Sequence, residues 1–432
     1  MLFSKTYLLL MFLGWLLVAG AEAQDLDRVR RTIDTLASPT LFGRGYTKGG
    51  DQKAAAYLSA KFKALGLLAW GKEDYRQAFP LDVNTFPNRV ALSLDGEPLR
   101  PGDDFIVNAV SAKGKGSGQC YLLDTLIFQE QVDERVDAAR QKFLADPIKG
   151  KIAVFRGTDY YRLLEMPIEF LGKLSEAKAF ISLEDKLTMT ISSQQSSRPW
   201  FQVLKAKFKP GAQKAKFRLD AELMPGYQSQ NVIGYFRGTQ RPEVFITFTA
   251  HYDHLGGLGK NTYFPGANDN ASGISLLLEL AAHYQQNPPP FSVAFMAFGG
   301  EEAGLVGSRY YVEHPLFPLR QIRFLLNLDL TGTGDEGIGV VNATIYEKEY
   351  AVFRQISTEK DYFKRIVRRG SAANSDHYFF GQAGVKAFFV YTLGGINAYH
   401  DVNDRAATLP LTKYRELYAL LKEFADQLMA GE

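Results

Sequence analysis

Residues 244–254 read VFITFTAHYDH: seven β-branched, aromatic or small residues that end abruptly in His251, Asp253 and His254. A run this short, rich in Val, Ile, Phe and Thr, predicts a buried strand with a polar cluster at its carboxyl end. The pattern recurs downstream. Phe291–Phe298 (FSVAFMAF) leads into Gly-Gly-Glu301-Glu302, Ile322–Leu328 into Asp329, and Ala387–Tyr391 into a glycine loop that ends at His400. Further strands are predicted at Val232–Phe236 and Ile338–Asn342. Helices are predicted at Ala271–Gln286, stopped by NPPP, and at Gly304–Glu313, Lys348–Asp361 and Thr412–Met429. Near-continuously apolar strands separated by helices predict an α/β fold, a three-layer sandwich whose mainly parallel, mixed sheet is covered by helices on both faces.

In open α/β sheets ligands bind beyond the carboxyl ends of the strands, so these clusters converge on one site if the strands run parallel. Asp269, in GANDNASG, stands just before a predicted helix. Each residue alone has a plain structural use: Asp269 as an N-cap, Glu301 and Glu302 as first-turn charges, His251 as a hydrogen-bonded core histidine. Together they do not, because adjacent acids at a buried strand end repel unless a cation or proton compensates. Two histidines with three or four carboxylates form a ligand set suited to zinc and large enough for two ions sharing one bridge.

Outward from this region the pattern changes. Residues 24–95 open with helical periodicity (Leu26, Val29, Ile33, Leu36), and a second helix is expected from Asp51 to Leu65. Between them lies the glycine-rich loop LFGRGYTKGG, which carries Arg44. Residues 96–225 hold short β-rich runs such as GQCYLLDTL and GKIAVFRG, and they read as an independent β-rich module. The first 23 residues have the form of an export signal: Lys5, an apolar run from Tyr7 to Gly20, then Ala21-Glu22-Ala23 as a cleavage site. The mature protein is thus expected to be exported, periplasmic or secreted, with no stable membrane insertion after cleavage. Cys120 is the only cysteine, so an intrachain disulfide is excluded, and no G-x-S-x-G nucleophile elbow occurs. Among 432 residues, 50 Lys and Arg against 47 Asp and Glu leave a formal charge of +3, no electrostatic reason to expect a nucleic-acid partner.

AHYDHLG (250–256), GANDNASG (266–273), FGGEEAGLVGS (298–308), NLDLTG (327–332), SDHYFF (375–380) and AYHDVND (398–404), in that order, resemble the exported two-zinc aminopeptidases. That family is related to glutamate carboxypeptidase, the transferrin receptor and glutaminyl cyclase. The resemblance spans 226–432, the expected catalytic domain. More weakly, 96–225 resembles the protease-associated insert that many members carry, and the helices of 24–95 would then pack on the catalytic domain.

Carried over position by position, the resemblance implies two zinc ions per chain and peptide substrates. Asp269 would bridge the ions, with His251 and Asp329 completing one and Glu302 and His400 the other. Glu301 would be the general base, and Asp253 would orient His251. Asp376 and His377, together with Tyr399 and Arg44, are candidates to line the substrate pocket. One departure stands out: the family's last histidine is commonly followed by Thr-Pro, and here Asp401-Val402 follow His400. Open alternatives are a one-zinc glutaminyl cyclase, a carboxypeptidase or dipeptidase specificity, and a non-catalytic binding protein on this scaffold.

Overall fold

The computed structural model describes residues 25–70, 74–209, 211 and 214–430. The export-signal pattern of residues 1–23 lies outside the described residues. Among those described, no helix is long and apolar enough to cross a membrane.

The central sheet has eight strands in the spatial order 76–85, 222–236, 291–298, 241–251, 322–328, 387–393, 337–341 and 366–368. The four in the middle, from 291–298 to 387–393, are mutually parallel, while 76–85 pairs antiparallel with 222–236, 222–236 with 291–298 and 337–341 with 387–393, so the sheet is mixed; the last strand, 366–368, runs parallel to 337–341. Side chains alternate across it, as the pleat requires. Ile246, Phe248 and Ala250 face one layer of helices with Val293, Phe295 and Ala297. Phe245, Ala294, Met296 and Phe298 face the other.

The first layer consists of Leu26–Leu36, Gly50–Ala64, Gly273–Gln286, Glu347–Glu359 and Tyr414–Ala430. Leu26–Leu36 begins where Asp25 accepts from the amides of Asp27 and Arg28, and it buries the Val29, Ile33 and Leu36 stripe. Gly273–Gln286 ends at Asn287, where the following prolines cannot continue a helix. Val306–Glu313 and His377–Gln382 cover the opposite face. The three-layer expectation therefore holds for the central sheet and its helices.

The amino-terminal region contributes more than helices. Arg76–Thr85 is an edge strand paired along Glu222–Phe236. A second eight-stranded sheet runs from Val90–Leu94 to Lys214–Leu219 in sequence, so it begins at Val90 rather than 96, and Glu222–Phe236 crosses position 225 as one strand of the central sheet. Pairing partners decide which sheet a strand joins, and composition does not register them. Half of this second sheet is parallel (114–122, 152–156, 179–184, 200–204), with the helices Glu134–Ala145 and Ile168–Leu174 packed beside it. Cys120 sits half-buried in it, its thiol pushed up to about 11 by burial, which suits a packing residue rather than a nucleophile.

Candidate active site

Because the four central strands are parallel, their carboxyl ends open on one side. His251 is the last residue of its strand, opposite Phe298, and Asp329 follows Leu328 directly. A wide turn at Ala267–Ser272 brings in Asp269, whose φ and ψ are not helical; the helix proper starts at Gly273. All are buried.

The central geometry is that of Asp269. Its Oδ1 lies 3.3 Å from His251 Nε2, and its Oδ2 lies 3.1 Å from His400 Nε2. Asp329 Oδ1 is 3.4 Å from the same His251 nitrogen, and Glu302 Oε2 is 3.3 Å from the same His400 nitrogen. The two rings present Nε2 because each Nδ1 is engaged elsewhere. His251 Nδ1 donates to the Asp253 carbonyl at 3.2 Å, and His400 Nδ1 donates to the Met189 carbonyl at 2.9 Å. Met189 belongs to the second sheet's 185–199 connection and also donates its own amide to the His400 carbonyl at 2.9 Å, so that sheet grips the His400 loop directly.

The donor set suits divalent cations. Asp329 Oδ1 is buried and makes no hydrogen bond. Burial pushes the carboxyls of Glu301 and Asp329 above the usual carboxylate range, Glu301 well above it. The His251 ring is held well above its ordinary value against burial by the charges of Glu301 and Asp329, and the His400 ring is pushed up to about 9, against burial, by Glu302 and Asp269. Burial opposes ionisation of Asp269 too, yet His251 and His400 hold its carboxyl well below the usual range. Buried acids and imidazoles crowded in this way are groups whose charges a bound cation would balance. Ligand-capable atoms of His251, Glu301 and Asp329 lie within 4.8 Å of one another, as do those of His254, Asp269 and Glu302. The second grouping contains His254 in place of His400. His254 Nδ1 donates to Glu302 Oε1 at 2.7 Å, which leaves Oε2 facing His400, so we treat His254 as the anchor of Glu302.

Asp253 does not take the place expected of it. Its carboxylate is 3.8 Å from His251 Nδ1, beyond a hydrogen bond, whereas Oδ1 accepts from the Glu301 amide at 3.1 Å and Oδ2 from the Tyr46 hydroxyl at 3.0 Å. It orients His251 through its main-chain carbonyl and the Glu301-Glu302 turn through its side chain. Tyr46→Phe deletes the hydroxyl donor to this buried carboxylate. Unfolding free energy in denaturant is expected to fall by about 1–3 kcal/mol, and a change below about 0.5 kcal/mol would contradict the contact.

Arg44 is not in the pocket wall. Fully buried, it donates all its N–H groups to main-chain carbonyls, from Nε to Tyr252 (2.7 Å), from Nη1 to Leu36 (2.8 Å) and Pro265 (2.7 Å), and from Nη2 to Gly266 (2.8 Å) and Asp269 (3.1 Å). A planar five-donor fork is suited to tying the turn after His251 to the turn that carries Asp269. Asp376 and His377 also lie beneath the site rather than on its surface, both buried; burial pushes Asp376 up to about 7 and His377 down to about 4. Tyr399 does face the pocket, and its ring stacks on His400 with centroids 4.0 Å apart.

Several supports had no distinct mark in the sequence. Thr249 donates to Asn327 (2.7 Å), Asn327 to Ser375 (2.8 Å) and Ser375 to Asp329 Oδ2 (3.2 Å), a buried relay that fixes the Asp329 carboxylate. Asp404 accepts from the amides of Asn268 and Asp269 at 2.8 and 2.9 Å. Asp404 and His254 both lie inside motifs that carried the resemblance, which was the available signal for them.

A mixed sheet with paired histidine and carboxylate groups at the ends of its parallel strands defines the class, an α/β metallohydrolase centre. Residues 231–425 match Peptidase family M28. The chain is 28% identical over 318 residues to Aminopeptidase YwaD of Bacillus subtilis, covering 71% of this chain and 65% of that protein, so the aligned stretch spans under two thirds of that relative. It is 25% identical over 202 residues to a vacuolar membrane protease of Candida glabrata, 46% of this chain and 20% of that one. Among solved structures, BSAP, a zinc aminopeptidase from Bacillus subtilis, superposes with a TM-score of 0.68 at 22% identity, over 94% of this chain and 95% of that one. A Peptidase M28 precursor from Shewanella amazonensis superposes at 0.64 with 16% identity, over 94% and 97%. These two likenesses concern the fold, second sheet included.

Proposed function

We propose that the chain is an exported zinc aminopeptidase that removes N-terminal residues from peptides at a centre of two ions. The observation that carries this reading is Asp269, whose two oxygens face two different histidines. His251 and Asp329 would complete the ligands of one ion, and Glu302 and His400 those of the other. Zinc held there would supply a Lewis acid for the scissile carbonyl and a water acidified to near-neutral pH.

The chain's own groups do the rest. Glu301, beside a ligand yet free of His254's grip, receives the proton of the attacking water on its carboxylate and returns it to the leaving amine nitrogen. Its raised proton affinity suits both halves of that transfer. Asp253 holds the Glu301-Glu302 turn through the amides, and Tyr399 walls the mouth over His400. Export rests on the leader pattern of residues 1–23, and 90–219 is read as a protease-associated-like module whose Met189 loop steadies His400. Two histidines on one carboxylate speak against the one-zinc cyclase alternative.

The test is metal content per chain after exhaustive dialysis, followed by a panel of aminoacyl p-nitroanilides. Two zinc ions with hydrolysis are expected; one ion, or none after zinc is supplied, contradicts the bridged centre. Chelation is expected to lower the thermal midpoint and abolish hydrolysis, and added zinc to restore both, because ligand at a thousandfold over Kd stabilises by about 4 kcal/mol. An unchanged midpoint would show that no structural cation had been removed.

A further inference from the structure

Above the ligands the same cavity, about 460 Å³, has one permanent cation in its wall, Arg369. Its neighbours on the chain are neutralised: Arg365 lies 4.0 Å from Glu336 and Arg368 lies 3.1 Å from Glu347. Among the described residues no carboxylate is in ion-pair range of Arg369. What holds it instead is neutral. Arg369 Nη1 donates to the Tyr391 hydroxyl at 2.9 Å, and the guanidinium lies 5.7 Å from the centre of the same ring.

This placement is built into the sheet. Gly339 is the register partner of Tyr391 on the neighbouring strand, and a Cβ there would come within 2.2 Å of the tyrosine ring. The missing side chain lets the ring lie across the strand and carry its hydroxyl to Arg369. The Arg369 amide donates to the Val340 carbonyl at 2.9 Å, which fixes the base of the side chain. Asn374, a neutral donor, lines the same cavity, and Leu305, Leu330 and Phe389 give the remainder an apolar surface. A half-buried guanidinium held by a neutral hydroxyl, with open donors and no anion of its own, is a receptor for a carboxylate.

We propose that Arg369, set by Tyr391 and beside Asn374, forms a subsite for a substrate carboxylate, so that the preferred peptides present an anionic group close to the scissile bond. This rests on the peptidase reading above. Two sources supply the same chemistry: the side chain of an N-terminal Glu or Asp, and the free C-terminus of a dipeptide.

Four ligands separate these sources: Leu-p-nitroanilide as neutral reference, Glu-p-nitroanilide for the side-chain source, and Leu-Gly against Leu-Gly-amide for the C-terminal source. Arg369→Met is expected to raise KM for one anionic ligand at least about tenfold more than for its neutral counterpart, the scale of one lost charge-assisted pair. Arg369→Lys should recover part of that ratio, and Tyr391→Phe should lose part of it with the cation intact. Equal losses on anionic and neutral ligands would overturn the subsite, as would no loss on either anionic ligand. If wild type fails on the neutral reference as well, the peptidase reading fails separately. The same four ligands titrated calorimetrically then decide the subsite, with Arg369→Met expected to bind an anionic ligand about tenfold more weakly and equal binding overturning it.

Discussion

Glu301→Gln is expected to lower kcat by about 10²–10⁴-fold while zinc content per chain stays at the wild-type value. Glutamine matches glutamate in shape and keeps the amide that Asp253 Oδ1 holds at 3.1 Å, so the turn that carries Glu302 is not disturbed. What disappears is the ability to accept a proton. Glu301 is suited to that task because its carboxyl is pushed well above the usual range, first by burial and then by the charges of Glu302, Asp376 and Asp329, against the pull of His251. KM is expected to change little, since a group that acts in the transition state contributes little to ground-state binding. Metal analysis and steady-state kinetics on one preparation check both halves. Near-wild-type turnover would remove Glu301 from the role of base. Lost turnover together with lost zinc would make it a ligand, as the compact grouping of His251, Glu301 and Asp329 permits.

The residues proposed as ligands were legible because each sits at a punctuation point of the chain: a strand end, a turn before a helix, a glycine loop. Hydrophobic periodicity locates such points, and the charged residue beside each one is conspicuous. The supports were not legible. Arg44 was expected to line the pocket, yet its surroundings come from Leu36, Tyr252 and residues 265–269, a convergence that only the fold creates. Asp253 shows the same limit more finely. The resemblance implied that it would orient the His251 ring, but the strand's end turns its carbonyl toward the ring and its carboxylate toward Tyr46 and the Glu301 amide. The edge strand Arg76–Thr85 escaped notice because Pro80 interrupts a pattern that is apolar only on its buried side, as an edge position allows. The second sheet's hold on His400 runs through the main chain of Met189, and main-chain contacts leave no residue-type signature.

Asp269→Asn is expected to empty both metal positions together, with zinc per chain falling from two toward none at a free zinc concentration that saturates wild type, and with loss of hydrolysis. The substitution leaves the backbone where it is. Asp404 still accepts from the amides of residues 268 and 269, and Arg44 still donates to the carbonyl of 269. The metal-free midpoint of the variant should therefore stay close to that of metal-free wild type, which separates a lost bridge from a lost fold. An asparagine offers one oxygen and one NH2, and the NH2 cannot ligate a cation, so whichever way the amide turns, one of the histidines His251 and His400 faces a donor instead of an anion. The other ion would be weakened as well, because the carboxylate's charge would help offset two cations held close together, and without it their mutual repulsion in a buried site would be less compensated. The outcome that contradicts this reasoning is specific: one zinc retained at wild-type affinity, with the other lost, would mean that Asp269 serves a single ion and that the His254, Asp269 and Glu302 grouping is a site in its own right.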